Sequence, residues 1–403
     1  MTPAYDVIVA GAGIFGLAAA LELNARQHGL AILDPGPLPH PLAASTDISK
    51  VIRMEYGTDA LYMAMVEAAH VGWLRWNELL GETLYHNTGV TMLTRAPMTP
   101  GGYEYESYQM LLQRGHRPER LDSAAISRRF PAWMPGAYVD GFYHAQGGYA
   151  ESGRVVAALV DLAQRQGVSV QMGQAVTAIL SENGRVTGVR TADGQVIPAG
   201  HVVVAAGAWT PLLVPELAPV MRATGHPVFH LKPADPALFA PPHFTVFTAD
   251  VANTGWYGFP LHPHQGVVKI ANHGVGQRLH PSRDERIVTE ADVRHLRAFL
   301  ADTFPALVDA PIVYTRRCLY CDTLDEHFWI DRHPQLAGLT IAAGGSGHGF
   351  KFGPILGSLI ADAVENQPNP WLGRFRWRAL AANTTGEEAA RYHGRGDPPS
   401  ATG

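Results

Sequence analysis

Residues 318–334, "CLYCDTLDEHFWIDRHP", hold both cysteines of the chain, Cys318 and Cys321, in a C-x-x-C spacing, with His327 and His333 close behind. Three chemistries suit this pattern: half of a zinc site, a dithiol switch, or a single reactive thiolate. Structural zinc takes about four ligands in tetrahedral array, and no second C-x-x-C or H-x₃-H follows, so no metal is expected. The thiolate is the nucleophilic form of cysteine, and Arg316 and Arg317 beside Cys318 favour it. Two unmodified thiols in a core strand remain the plain alternative. A second set of residues is cationic. Lys269 sits in the apolar run "VVKIANHG", where a lysine is expensive to bury. Arg53 in "DISKVIRMEYG" and Lys351 in "GHGFKF" offer a bidentate fork and a point charge to an anion. From pattern alone Lys269 also suits an edge strand facing solvent, and Arg53 a salt bridge with Glu55. His273, as a lone histidine, suits a structural role.

The elements that must position these groups begin at the N-terminus. "YDVIVAGAGIFGLAAALELNARQHGLAILD" reads as strand, tight turn, helix and strand. Gly11, Gly13 and Gly16 form G-x-G-x-x-G at the turn, with Ile14 and Phe15 opening the helix. The first glycine permits the turn, the second lets backbone approach a pyrophosphate, and the third lets helix pack on strand. The helix N-terminus offers free N–H groups and partial positive charge to the phosphates. Asp34 ends the second strand, where a carboxylate holds a ribose and disfavours a 2′-phosphate. That leaves NAD or FAD. Residues 168–209 contain short alternating strands from Val176 onward, with hairpin signals at Asn183-Gly184 and Asp193-Gly194. They return through the buried run "HVVVAAGAW", with Ala206, Gly207 and Trp209 beside the cofactor. Such a meander resembles FAD enzymes of the glutathione-reductase-like type. "LTIAAGGSGHGFKFGPILGSLIADAV" then supplies a glycine-rich loop before a helix, with Gly345, Gly347, His348, Gly349 and Phe350. Flavin hydroxylases carry Gly-Asp at this juncture, and its absence argues against their chemistry.

From about residue 5 to 380 the chain resembles the monomeric sarcosine oxidase family of FAD-dependent amine oxidases. That family includes N-methyltryptophan, pipecolate, saccharopine and fructosyl-amino-acid oxidases. The strongest blocks are "DVIVAGAGIFGLAAALEL", "DISKVIRMEYG", "GWYGFP…VVKIANHGVGQ" and "CLYCDTLDEHFWIDRHPQLAGLTIAAGGSGHGFKF". The resemblance implies that Cys318 forms a thioether to the 8α-methyl of FAD and that Lys269 activates oxygen. It implies that Arg53 and Lys351 hold a substrate carboxylate, with His273 and Trp256 beside the substrate. Lys50 and Ser45-Thr46 depart from the sarcosine oxidase pattern near the flavin, as does Thr58. The D-x-x-K form ending at Lys50 looks more like the fructosyl-amino-acid and saccharopine branches. These departures point to a substrate bulkier than sarcosine. The implied reaction is oxidation of a secondary amine in an N-substituted amino acid to an imine, with hydrolysis and hydrogen peroxide release. A flavin dehydrogenase, a cyclic imino-acid oxidase and a non-catalytic flavin-binding protein are the alternatives.

The expected fold is α/β (α+β). A Rossmann-like FAD-binding domain uses residues 1–85, 146–216 and 318–383. A mixed-sheet substrate domain uses 86–145 and 217–317, and residues 384–403 form a mobile tail. Hydrophobic residues make up 46% and charged residues 17%, with a formal charge of -5. This predicts a compact protein with no nucleic-acid or anionic-membrane partner. No apolar run reaches the roughly 18 residues of a membrane span, and the glycine-broken N-terminus without basic residues is not read as a signal peptide. Two cysteines make no disulfide framework, which points to the cytoplasm. The expected partners are a small-molecule amine and O₂, and the expected state is a monomer.

Overall fold

The computed structural model describes residues 4–394 of the 403-residue chain. Five parallel strands form the centre of the first sheet: Ser169–Met172, Leu30–Asp34, Tyr5–Ala10, Val196–Val204 and Leu339–Ala343, in that spatial order. The apolar runs of Tyr5–Ala10, Leu30–Asp34 and Leu339–Ala343 are buried, as strands covered on both faces must be. Trp329–Arg332 extends the sheet antiparallel, and the hairpin strands Val176–Glu182 and Arg185–Thr191 form the expected meander on Val196–Val204. Helices Ile14–Ala25 and Gly353–Glu365 pack together closely, for a Cβ on Gly357 would meet Ala18 O at 2.6 Å.

The glycine fingerprint works as its spacing requires. Gly11 has φ +110°, and a Cβ there would meet Ala205 O at 2.5 Å. A Cβ on Gly16 would collide with the Gly11 carbonyl, so the third glycine is the helix-on-turn packing position.

The second sheet has nine strands. Eight follow the order Glu119–Asp122, Asp140–His144, Val90–Thr94, Val246–Ala249, Trp256–Gly258, Val268–Asn272, Met221–Leu231 and Gln277–Arg278. The ninth, Ile312–Thr323, pairs along Met221–Leu231. One face packs on helix Glu290–Thr303 around Phe229, Phe247, Ile270, Phe299 and Phe304. Strand alternation sends Lys269, Ala271, Tyr257, His226 and Cys318 to the opposite face. A three-stranded sheet of Lys50–Ile52, Tyr85–His86 and Gly148–Ala150 lies apart from both.

Two expectations need correction. A domain boundary at residue 318 cuts a continuous strand, because Cys318–Thr323 remains paired in the second sheet and the chain rejoins the first sheet only at Trp329. The tail was expected to be mobile, yet Glu388, Ala390 and Arg391 are buried. Arg391 pairs with Asp322 at 2.7 Å and Glu326 at 2.9 Å, which ties the segment to the end of the Cys318 strand. Residues 395–403 lie outside the described residues.

Candidate cofactor and active site

A cavity of about 890 Å³ opens at the carboxyl ends of the parallel strands. Its walls include Gly11, Gly13, Ile14, Phe15, Asp34, Ser45 and Lys50 from the N-terminal region, and Val176, Ala206, Gly207 and Trp209 from the meander. The C-terminal loop adds Gly345, Gly347, Gly349 and Phe350. Asp34 is fixed by backbone donors, with Ala12 N–H and Gly36 N–H each 2.8 Å from a carboxylate oxygen. Ser45 Oγ accepts from Ile14 N at 3.0 Å and caps the helix start. The glycine turn and helix N-terminus offer the donors, and the anchored carboxylate the acceptor, that a dinucleotide needs. The residues therefore fit FAD.

Gly16, Cys318, His348 and Lys351 do not line this cavity. His348 lies behind the wall, where Tyr56 Oη is 2.9 Å from Nδ1 and the Glu326 carbonyl 3.0 Å from Nε2. Lys351 Nζ donates to Tyr56 Oη at 2.8 Å. The chain of bonds therefore runs from Lys351 through Tyr56 to His348, with the His348 proton on Nε2. Burial pulls His348 down to about 3, so the ring is neutral.

Cys318 is 1% exposed and sits with Tyr320, Val228, Ala271 and Tyr257, with Lys50 Nζ 3.9 Å from its Sγ. Cys321, an odd number of residues on, packs on the other side with Trp329 and Ile341. The pleat thus separates the two thiols of the C-x-x-C spacing. Burial pushes the Cys321 thiol up to about 12. The arginines expected to favour a Cys318 thiolate are used elsewhere. Arg317 binds Asp292, and Arg316 binds the carbonyls of Thr46 and Ala43. Lys50 is the cation at the sulfur.

Lys269 is 1% exposed, which rules out the solvent-facing edge position. Its ammonium lies 2.7 Å from Asp47 Oδ2, donates to the Ser49 carbonyl and sits 4.6 Å from the Phe259 ring centre. Burial pulls Lys269 down to about 8, with Lys50 acting in the same direction and Asp47 opposing. Burial alone would raise the Asp47 carboxyl. Lys269, His230 and Lys50 instead hold it well below the usual range.

Arg53 does not pair with the Glu55 carboxylate, which goes to His144 at 3.0 Å. Its guanidinium donates to the Glu55 carbonyl and to Tyr103 Oη at 2.6 Å, and faces Glu388 Oε1 at 3.5 Å. His273 Nε2 is 2.7 Å from Glu388 Oε2, and its ring centre is 5.7 Å from that of Tyr320. Arg53 and His273 therefore meet through Glu388.

Trp256 does not reach this region. Its ring stacks on Phe299 at 4.7 Å within the aromatic core, because strand alternation turns it to the helix-covered face. The next residue, Tyr257, faces Cys318 and Tyr320. Sequence reasoning missed Tyr257, Tyr320, Tyr56, Asp47 and Glu388. Period-two counting from Cys318 would have found Tyr320, and the D-x-x-K spacing already contained Asp47.

A model of the FAD dependent oxidoreductase family matches residues 6–363. The chain is 30% identical over 390 residues to the monomeric sarcosine oxidase of Streptomyces avermitilis, covering 95% of this chain and 99% of that protein. It is 30% identical over 376 residues to N-methyl-L-tryptophan oxidase of Escherichia coli (strain K12), covering 90% and 95% respectively. Among solved structures, the fructosamine oxidase of Aspergillus fumigatus (Amadoriase II), in complex with FSA, matches with a TM-score of 0.82 at 25% identity. That match covers 98% of this chain and 94% of the other. With a dinucleotide cavity built from the glycine turn, Asp34 and the returning meander, the chain belongs to the family of FAD dependent oxidoreductases.

Proposed function

We propose that this chain oxidises the secondary amine of an N-substituted amino acid bulkier than sarcosine, yielding an imine that hydrolyses, and hydrogen peroxide. The observation that carries this reading is a set of buried basic side chains: Lys269 at 1% exposure, Lys351 at 4% and Arg53 at 6%. Buried cations are costly unless they act on an anion or a developing charge. FAD, when bound, accepts the hydride equivalent from the carbon beside nitrogen and passes the electrons to oxygen. Lys269 supplies a fixed positive charge for the oxygen step, and Asp47 holds its ammonium in place. Arg53 and Lys351 hold the substrate carboxylate, while Tyr257 and Tyr320 form the aromatic wall beside Cys318. In this reading Cys318 carries the cofactor covalently, and Lys50 beside it favours the thiolate. A non-catalytic carrier would have no use for a lysine buried on an aspartate.

Peroxide release on a panel of N-substituted amino acids tests the reaction, and a fully flavinated sample that makes none overturns it. Acid precipitation tests the attachment. Yellow colour should stay with the pellet in the native protein and in Cys321→Ala, and move to the supernatant in Cys318→Ala. The reading also takes the protein as a cytoplasmic monomer, and light scattering checks the mass. Among the described residues no helix is long and apolar enough to cross a membrane.

A further inference from the structure

The cationic cluster already holds a carboxylate. Glu388 is 6% exposed, and its oxygens lie 2.7 Å from His273 Nε2 and 3.5 Å from an Arg53 nitrogen. Lys351 completes the cluster, and among the described residues its ammonium has one hydrogen-bond partner, Tyr56 Oη. The 890 Å³ cavity reaches Tyr320 and Phe350, but Arg53, Lys351, His273 and Glu388 are not on its walls. The anion position of the cluster is therefore filled by the protein itself.

Glu388 is not carried by the strands that form the cluster. It belongs to residues 386–393, a segment without helix or strand, whose docking consists of separable contacts. Glu388 N donates to Glu326 Oε2 at 3.0 Å, Tyr392 N donates to the His273 carbonyl at 3.0 Å, and Arg391 pairs with Asp322 and Glu326. Arg391 Nε also donates to the Gly274 carbonyl at 3.1 Å.

Resting on the oxidase reading above, we propose that Glu388 is a specificity-determining residue that competes with the substrate's carboxylate for Arg53 and His273. Two buried carboxylates cannot share one guanidinium without strong repulsion. His273, hydrogen-bonded to the carboxylate, and Lys351 hold Glu388 ionised against the effect of its burial, so it does not yield by protonation near neutral pH. A carboxylate ligand enters when residues 386–393 move out. Only substrates whose remaining contacts offset that displacement bind well, which places small N-substituted amino acids at a disadvantage.

Calorimetric titration of the purified flavoprotein with propionate, a carboxylate without an amine to oxidise, tests the competition. Glu388→Gln should bind propionate at least tenfold more tightly than the native protein, and adding Arg53→Gln should abolish the gain. Equal or weaker binding by Glu388→Gln overturns the proposal. Hydrogen exchange on the native protein gives a second measurement that needs no folded variant. Saturating propionate should speed exchange in residues 386–393, and unchanged or slower exchange overturns it. Neither readout uses turnover, so the proposal can fail while peroxide formation stands, or stand while the amine oxidase reading fails.

Discussion

The lysine at position 269 owes its properties to burial and to one carboxylate. Replacing it by Met removes the cation proposed to serve the oxygen step, and one preorganised electrostatic contact of this kind is worth about 10²- to 10³-fold in rate. Lys269→Met should therefore slow re-oxidation by oxygen by about that factor in stopped flow, with anaerobic reduction by the substrate much less affected. Burial pulls the pKa of Lys269 down to about 8. It is protonated below that value and loses its charge above it. The oxygen step of the native enzyme should fall as pH rises through about 8, and Lys269→Met should lose this dependence. The neighbours Trp256 and Tyr257 separate stability from chemistry in the same way. Trp256 is packed on Phe299 and His295, so Trp256→Ala should cost about 3–5 kcal/mol in denaturant unfolding. Tyr257→Phe keeps the packing and should change kcat/KM for the amine while leaving the unfolding midpoint nearly in place.

At the scale of elements, the cofactor site depends on how closely the first helix approaches its turn and the helix behind it. A methyl group on Gly16 collides with the Gly11 carbonyl, and backbone cannot yield as a side-chain tip can. Gly16→Ala should destabilise the protein by about 1–3 kcal/mol or more and should be recovered with little or no flavin, measured as the ratio of visible to ultraviolet absorbance. The Cys318 strand shows the complementary principle. Its length lets one element carry Cys318, the Tyr320 ring on the cavity wall and Asp322, the residue that anchors Arg391. The carboxyl-terminal segment is thereby registered against a strand that lines the cavity.

For the whole molecule, the site exists because two sheets face each other. The parallel sheet supplies the glycine turn and Asp34 to the cavity wall, and the nine-stranded sheet supplies Leu319, Tyr320 and Cys321. Residues 281–286 of the second unit, through Pro281, Ser282, Asp284 and Arg286, add to the cavity wall. A ligand bridging both units stabilises the folded state by mass action, by about 2.7 kcal/mol at a hundredfold excess over Kd. Cys318→Ala, freed of its flavin, should show a Tm that rises with added FAD. The native protein should show no such dependence if its cofactor is covalent.

The glycine fingerprint and the meander were legible in the sequence because their causes are local, whereas the pattern around Lys269 also suited an edge strand facing solvent and only the fold buries it. A backbone that must approach another backbone excludes a Cβ, and a parallel strand covered on both faces must be apolar throughout. The resemblance implied Trp256 beside the substrate, but the face a strand residue takes is set by the fold, which turns Trp256 to the helix-covered side and Tyr257 to the side of Cys318. Burial also reversed the expected partners of charge. Arg317 went to Asp292, Glu55 to His144, and Lys50 came to the thiol. Glu388 lay beyond any local reading. It sits in a polar, glycine-bearing stretch with the composition of a loose tail, and its partner His273 is 115 residues away. The sequence by itself determined where a dinucleotide can bind and which residues are costly to bury. Only the tertiary structure decided which charges meet, because pairing buried ions depends on distances of a few ångströms between segments that are remote along the chain.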